Sequence, residues 1–240
     1  MGTDAKNKWV IAIKEGRSYK VIEPPKGRYY ADPFIIDGYV FFEDYDYEKG
    51  RIAVYEIATG KITLVLELDH HLSFPNVFKH EGEYYMVPEE GAINQIRLFK
   101  AKNFPFGWEV VKVLKEGIHP GDTDIFYKDG WHMFTTNAND HRLWYMTAED
   151  LFTEWTFQFE RDIENSRPAG RAFEEGGKLY RPVQDCREGY GKNVILKEFT
   201  LSPYEEVSQK TLRHWKKGLN GFHTFNFDDD FIVVDGRYEA

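Results

Sequence analysis

The sequence predicts an all-β fold, a five-bladed β-propeller, as a single domain over residues 1–240. Three observations carry that expectation. A turn-like start, a short apolar strand, a tight turn and a second aromatic strand recur four times, and half of this unit appears once more. The turn glycines Gly38, Gly82, Gly130 and Gly177 follow one another at 44, 48 and 47 residues, a period that strands use in radial repeats. An aromatic content of 17% suits strands and the packing of one blade on the next.

The elements follow in order. Residues 8–25 place Trp9-Val10-Ile11-Ala12-Ile13 and Tyr19-Lys20-Val21-Ile22 around a Glu15-Gly16-Arg17 turn, which reads as an outer hairpin. Blade one (29–68) runs from Asp32-Pro33-Phe34-Ile35-Ile36 to Phe41-Phe42-Glu43, then alternates in and out over residues 51–67. Blade two (72–116) runs from Pro75-Asn76-Val77-Phe78 to Tyr85-Met86-Val87-Pro88-Glu89, with outer strands at 95–100 and 108–114. Blade three (120–160) has inner strands at 124–127 and 133–135 and outer strands at 143–147 and 155–159. Blade four (165–212) runs from Arg167-Pro168-Ala169-Gly170-Arg171 to 180–185, then 194–199 and a weaker 207–210. Residues 101–104 and 148–152 read as one-turn helical connectors. The last unit, residues 220–238, holds inner strands alone, so its outer hairpin is expected from residues 8–25. That closure leaves no free sheet edge at the seam.

A net charge of -9 and an isoelectric point near 5.4 argue against broad binding to nucleic acid or an anionic membrane. No run of about 20 apolar residues is present to span a bilayer. The opening Met1-Gly2-Thr3-Asp4 is not a secretory leader, so the sequence as given reads as cytoplasmic, with a removed leader still open. The single Cys186 rules out an intrachain disulfide and fits a reducing compartment. No CxxC, HExxH or P-loop pattern occurs, and the His70-His71 and Asp140-His141 pairs read as exposed loops.

Propeller geometry turns the repeat into a candidate site. The start of each first strand and the end of each second strand open on one face around the axis. Those positions are Asp32 with Glu43, Asn76 with Glu89, Asp124 with Thr135, Arg167 and Arg171 with Gln184 and Asp185, and His223 with Asp235. Each has a plain structural reading as a turn cap, a solvated charge or a packed imidazole. Their coincidence at one repeat position favours function, because burying so many ionisable groups is costly unless they are paired. Crowded carboxylates also separate one another's protonation states, as acid–base chemistry requires. Tyr29, Tyr30, Phe74, Trp131, Tyr145 and Tyr190 fall near strand starts or loop tips, where some could stack on sugar rings.

The repeat resembles the five-bladed propellers of the arabinanase, levansucrase and invertase superfamily, including family-43 glycoside hydrolases. Ala31-Asp32-Pro33-Phe34 looks like that superfamily's blade-one aspartate motif, and Asp122-Thr123-Asp124-Ile125-Phe126 like its blade-three one. The resemblance implies a base or nucleophile at Asp32 and a substrate-orienting, acid-tuning role at Asp124. Five stretches, 71–78, 87–89, 122–126, 167–171 and 180–185, are closer still to the propeller region of the glucosamine inositolphosphorylceramide transferase family. Blade four departs from the hydrolase pattern. It offers Arg171, Gln184 and Asp185 where a catalytic glutamate is expected, which leaves Glu89, then Glu43, as the replacement acid.

Two functions follow. One is a glycoside hydrolase acting on a polar or acidic glycan, with Asp32, Glu89 and Asp124 catalytic and Glu43, Asn76, Arg167, Arg171, Gln184, Asp185 and His223 binding substrate. The other is a non-catalytic module that presents a glycan or glycoconjugate to a partner glycosyltransferase or formyltransferase. No organic cofactor and no metal motif is implied. The resemblance leaves room for an axial Ca²⁺ or a water near His223, without a dedicated oxygen-rich calcium loop in the sequence.

Overall fold

A computed structural model of the protein describes residues 8–238, and the ends of the expected domain, 1–7 and 239–240, lie outside the described residues. Strands β1 (Lys8–Glu15) and β2 (Ser18–Ile22) form the first hairpin. Blade one comprises β3 (Tyr29–Ile36), β4 (Tyr39–Tyr45), β5 (Gly50–Glu56) and β6 (Ile62–Leu66). Blade two comprises β7 (Ser73–His80), β8 (Glu83–Glu89), β9 (Gln95–Asn103) and β10 (Phe106–Glu116). Blade three comprises β11 (Pro120–Tyr127), β12 (Trp131–Asn137), β13 (Leu143–Ala148) and β14 (Thr156–Arg161). Blade four comprises β15 (Phe173–Glu175), β16 (Lys178–Asp185), β17 (Asn193–Leu201) and β18 (Tyr204–Leu212). The fifth sheet joins β19 (Leu219–Gly221), β20 (Phe225–Phe227) and β21 (Ile232–Tyr238) to β1 and β2.

The ring closes as its pattern requires. Strand β1 pairs antiparallel with β21 from Lys8 opposite Tyr238 to Ile13 opposite Val233. Strands β2 and β6 show the same alternation of exposed and half-buried residues, ending on one buried side chain. The N-terminal hairpin is therefore the outer half of the fifth blade.

Apolar side chains gather into five clusters, one at each interface between neighbouring blades. Phe34, Phe74 and Met86 join blades one and two, and Trp131 and Trp155 sit between blades two and three. Phe134 and Tyr204 join blades three and four, while Ile11, Ile13 and Phe42 lie between blades five and one. Each large side chain so buried contributes about 1.5–3 kcal/mol.

Three local expectations are corrected. Residues 101–103 continue β9, because Ala101 pairs with Trp108, and a turn follows instead of a helical connector. Ala148 likewise ends β13 opposite Trp131, and residues 149–153 are bend and turn. The first pass of blade four is irregular between Arg167 and Ala172, with Pro168 bridging Val183. Gly170 explains that stretch. Its φ is +145°, and an added Cβ would lie 2.1 Å from the Phe225 carbonyl oxygen, so only glycine lets blade four approach β20 this closely. Among the described residues no helix is long and apolar enough to cross a membrane.

Candidate functional site

Three inner strands share an irregularity where they reach the axis. Register shifts fall between Ala31 and Phe34, Ser73 and Asn76, and Gly121 and Thr123. Asp32, Phe74 and Asp122 sit at these bulges with φ of +52°, +44° and +45°. A bulge re-aims a side chain, and left-handed backbone at a non-glycine residue persists where the surrounding structure holds it in place. The residue structurally matched to Asp32 is therefore Asp122, with Asp124 two positions further along the strand.

Asp32 is buried, with Thr224 Oγ1 donating to Oδ1 at 2.8 Å and the Phe74 N–H to Oδ2 at 3.3 Å. Burial pushes its carboxyl up, His223 opposes this, and Asp122 and Asp235 add to it, leaving it at about 6. Asp235 Oδ1 accepts the N–H groups of His223 and Thr224 at 2.9 and 3.0 Å. Its Oδ2 lies 2.5 Å from His223 Nδ1. Burial resists protonation of His223, but Asp235 outweighs it and raises the imidazole above its ordinary range. Trp9 stacks on that ring, 3.9 Å between centroids, so the N-terminal strand forms a wall of the site.

Across the axis, Asp122 Oδ2 accepts Arg167 Nε at 2.6 Å and Gln184 Nε2 at 2.7 Å. Glu89 Oε2 accepts the Asp122 N–H at 2.7 Å and Arg167 Nη2 at 3.3 Å. Burial pushes Asp122 up to about 7, with Arg167 pulling down and Glu89 pushing further up. Glu43, on β4 just before Asp44 and Tyr45, is 4% exposed. Burial first, then Asp32, Glu89, Asp122 and Asp235, raise it well above the carboxylate range. Its Oε1 is buried and lacks a hydrogen-bond partner; His71 Nε2 faces it at 3.4 Å.

The sequence-derived set thus divides. Asp32, Glu43, Glu89, Arg167, Gln184 and His223 converge on one axial pit, joined by Asp122 and Asp235. Asn76 and Asp124 meet each other at 3.3 Å, and Asp124 takes the Ala172 N–H at 2.9 Å, which ties blades two, three and four together. Arg171 Nη2 donates to the carbonyls of Val77 at 2.7 Å and Ile35 at 3.3 Å, pinning inner strands. Asp185 is held by Arg187 at 2.8 and 2.9 Å. His71 and His70 are partly buried and turned toward Glu43 and Glu90, where exposed loop residues were expected. Among the aromatic candidates, Tyr30, Phe74, Trp131 and Tyr145 are core. Tyr190 is 50% exposed, edge-on to His223 at 5.5 Å and 5.8 Å from the Arg167 guanidinium. Beside it opens a cavity of about 420 Å³ lined by Arg167, Gln184, Tyr190, Cys186, His141 and Asp162.

Asp32, His223 and Asp235 bring three ligand-type atoms within 4.8 Å, close enough to share a metal ion. Two carboxylates and one imidazole are fewer than the six to eight ligands of calcium, so water or a bound hydroxyl would have to complete its shell. Asp235 Oδ1 is filled by two N–H groups and Oδ2 by the imidazole, so no step is assigned to a metal.

The raised carboxyls have a thermodynamic consequence. Asp32 and Asp122 titrate at about 6 and 7 when folded, from ordinary values of 3.8, so the unfolded chain releases those protons first. Their contribution is complete below pH ~4 and is lost as pH rises through 6–7, on the order of 3 kcal/mol for Asp32 and 4 kcal/mol for Asp122. Glu43 and His223, both raised, act with the same sign. Tm should therefore fall between pH 5 and 8, and Asp122→Asn should flatten the slope. A Tm that climbs with pH over this window would contradict the assignment.

The family model described as the N-terminal region of glucosamine inositolphosphorylceramide transferase 1 matches residues 25–229. The chain is similar to glucosamine inositolphosphorylceramide transferase 1 of Arabidopsis thaliana, 32% identical over 253 residues, covering 86% of this chain and 32% of that protein. The protein of the same name from Oryza sativa subsp. japonica is 31% identical over 226 residues, covering 82% and 30%. The chain spans about a third of the length of these curated relatives. Its fold is similar to a GH43_1 enzyme from Xanthomonas citri complexed with xylotriose, with TM-score 0.61, 11% identity, and 89% of this chain and 88% of that one covered. It is also similar to CoXyl43, a GH43 beta-xylosidase/alpha-arabinofuranosidase from a compost metagenome in complex with xylotriose, with TM-score 0.57, 13% identity, and coverage of 86% and 84%. At such identity the likeness is one of fold.

Proposed function

The chain belongs to the family of glucosamine inositolphosphorylceramide transferase 1 N-terminal regions, and from that premise we propose that it is a carbohydrate-active propeller cleaving a glycosidic bond in its axial pit. One observation carries the reading. Glu43 Oε1 is a buried carboxyl oxygen without a hydrogen-bond partner, in a carboxyl that burial and its acidic neighbours push well above the ordinary range, beside a base of different titration, Asp32. Two carboxyls whose environments separate their protonation states are an acid and a base.

In this reading Glu43 gives its proton to the glycosidic oxygen as the bond to the anomeric carbon breaks. Asp32 takes a proton from the water whose oxygen joins that carbon. Glu89 and Arg167 hold Asp122 and shape the opposite wall, and Tyr190 offers a face to a sugar ring. Asp124, Asn76 and Arg171 act by fixing the strands around the pit. Carboxyls outnumber cations there, so a neutral or amino-bearing glycan suits it better than a uronic acid or a phosphosugar. The curated relatives carry glucosamine in their name.

The test is turnover of a panel of neutral, amino-bearing and uronic oligosaccharides. Activity should rise as pH passes about 6, where Asp32 ionises, and fall once Glu43 loses its proton. Asp32→Asn and Glu43→Gln should each lower kcat about 10³-fold. Full activity in either variant would remove the assigned role.

A second reading, recognition without turnover, is favoured by the commitment of both Asp32 oxygens and of Asp122 Oδ2 to internal donors. A binder keeps its affinity in Asp32→Asn and never releases product.

A further inference from the structure

We propose that His71 is a positioning residue for Glu43: its Nε2–H engages Oε1, so that the acid's proton is held on Oε2 and presented to the pit. The inference rests on the reading of Glu43 as the proton donor. Its basis is a three-residue arrangement that the repeat does not explain.

Gly50 begins β5 beside Glu43, and its N–H donates to His71 Nδ1 at 2.9 Å. A ring nitrogen that accepts a hydrogen bond carries no proton, so the neutral imidazole has its hydrogen on Nε2. That nitrogen lies 3.4 Å from Glu43 Oε1. The contact is longer than a formed hydrogen bond, as catalytic contacts often are before a ligand enters. The Gly50 carbonyl accepts the Leu72 N–H at 3.0 Å, so the histidine is tethered through its neighbour as well.

Gly50 is glycine for a steric reason. An added Cβ would lie 2.3 Å from the Leu72 carbonyl oxygen, 2.7 Å from Glu43 Oε1 and 2.7 Å from His71 Cε1. The backbone of β5 is thus pressed against both partners, and no side chain fits between them. Burial also lowers the basicity of His71, with Asp32 opposing and His70 assisting. The ring is therefore a fixed neutral donor, because a proton on Nδ1 would face the Gly50 N–H.

Glu43 is faced by Asp32, Glu89, Asp122 and Asp235 from blades one, two, three and five. Tyr29 and Tyr45 flank it on its own blade. His71 Nε2 faces Glu43 Oε1 at 3.4 Å, and its side chain is 40% exposed, so replacing it spares the core. A neutral donor favours the ionised carboxylate. Its loss should move Glu43 further upward.

The experiment is carbon-13 NMR titration of the glutamate carboxyls in the intact chain, with Glu43 assigned by its disappearance in Glu43→Gln. In His71→Phe, and in parallel His71→Ala, the Glu43 midpoint should shift to higher pH. His71→Gln, which restores an amide donor, should bring it back. Where turnover is measured, the alkaline limb of the pH profile should move with the midpoint. An unchanged midpoint in both His71→Phe and His71→Ala overturns the proposal, whatever turnover does. A shifted midpoint in a chain that turns over no glycan supports the positioning and removes the hydrolase reading instead.

Discussion

Removing residues 1–22, which carry β1 and β2, should abolish the cooperative unfolding transition. Strand β21 would lose its partner from Val233 to Tyr238, exposing a row of unpaired backbone groups on the fifth sheet. Ile11, Ile13 and Ile22 would leave the cluster between blades five and one, and Ala12 the cluster between blades four and five. Trp9, Val10 and those isoleucines are all buried. At about 1.5–3 kcal/mol for each large side chain, the loss approaches ~10 kcal/mol, comparable to the whole stability of a typical domain. The effect reaches the site, because Trp9 also leaves the face of His223. Thermal and denaturant melts followed by circular dichroism read the outcome. A truncated chain with an unchanged Tm would mean that the hairpin is an ornament and the ring closes without it.

This closure was legible in the sequence because the hairpin copies blade one and the last unit stops short. Regular spacing also marks strand ends, which is why Asp32, Glu43, Glu89, Arg167, Gln184 and His223 were found from the repeat. What spacing misses is the bulge. A register shift with φ of +45° moves the axial position from Asp124 to Asp122, and Asp122-Thr123-Asp124 reads equally well either way. Arg171 is a second case. Its long side chain reaches the carbonyls of Ile35 and Val77, so an apparent ligand cation serves the scaffold. The expected helical connectors contain good helix formers, yet Ala101 and Ala148 complete ladders opposite Trp108 and Trp131. Tertiary pairing outweighs the modest helix propensity of such short pieces. The need for glycine at position 50 appears only once Glu43 and His71 are seen against it.

Glu206→Gln should destabilise the domain by about 3–5 kcal/mol, the usual cost of leaving buried cations without their anion. Glu206 Oε2 accepts Arg181 Nε at 2.8 Å and the Tyr204 hydroxyl at 2.6 Å, and its Oε1 accepts Lys197 Nζ at 2.5 Å. Burial alone would favour the neutral acid, but Arg181 and Lys197 overcome it and hold the carboxyl at about 2. Both cations are buried, Arg181 to within 1% of full occlusion, and both reach beyond blade four's strands. Arg181 Nη1 donates to the Ser166 carbonyl at 3.0 Å and Lys197 Nζ to that of Glu164 at 2.8 Å. The network therefore clamps the loop that presents Arg167 to Asp122 and Glu89. Because the folded carboxyl titrates below its ordinary value, its stabilisation is complete above about pH 4.5 and lost as pH falls through about 2. The Glu206→Gln penalty should accordingly be constant near neutrality and shrink in acid, opposite in sign to the pH response of Asp32 and Asp122. Replacing Arg181, Lys197 and Glu206 together with apolar residues of similar size should recover most of the loss, since no unpaired ion remains. A Glu206→Gln protein that melts with the wild type at pH 7 would show that the clamp holds no charge worth neutralising, and that Arg167 is set in place by the pit alone.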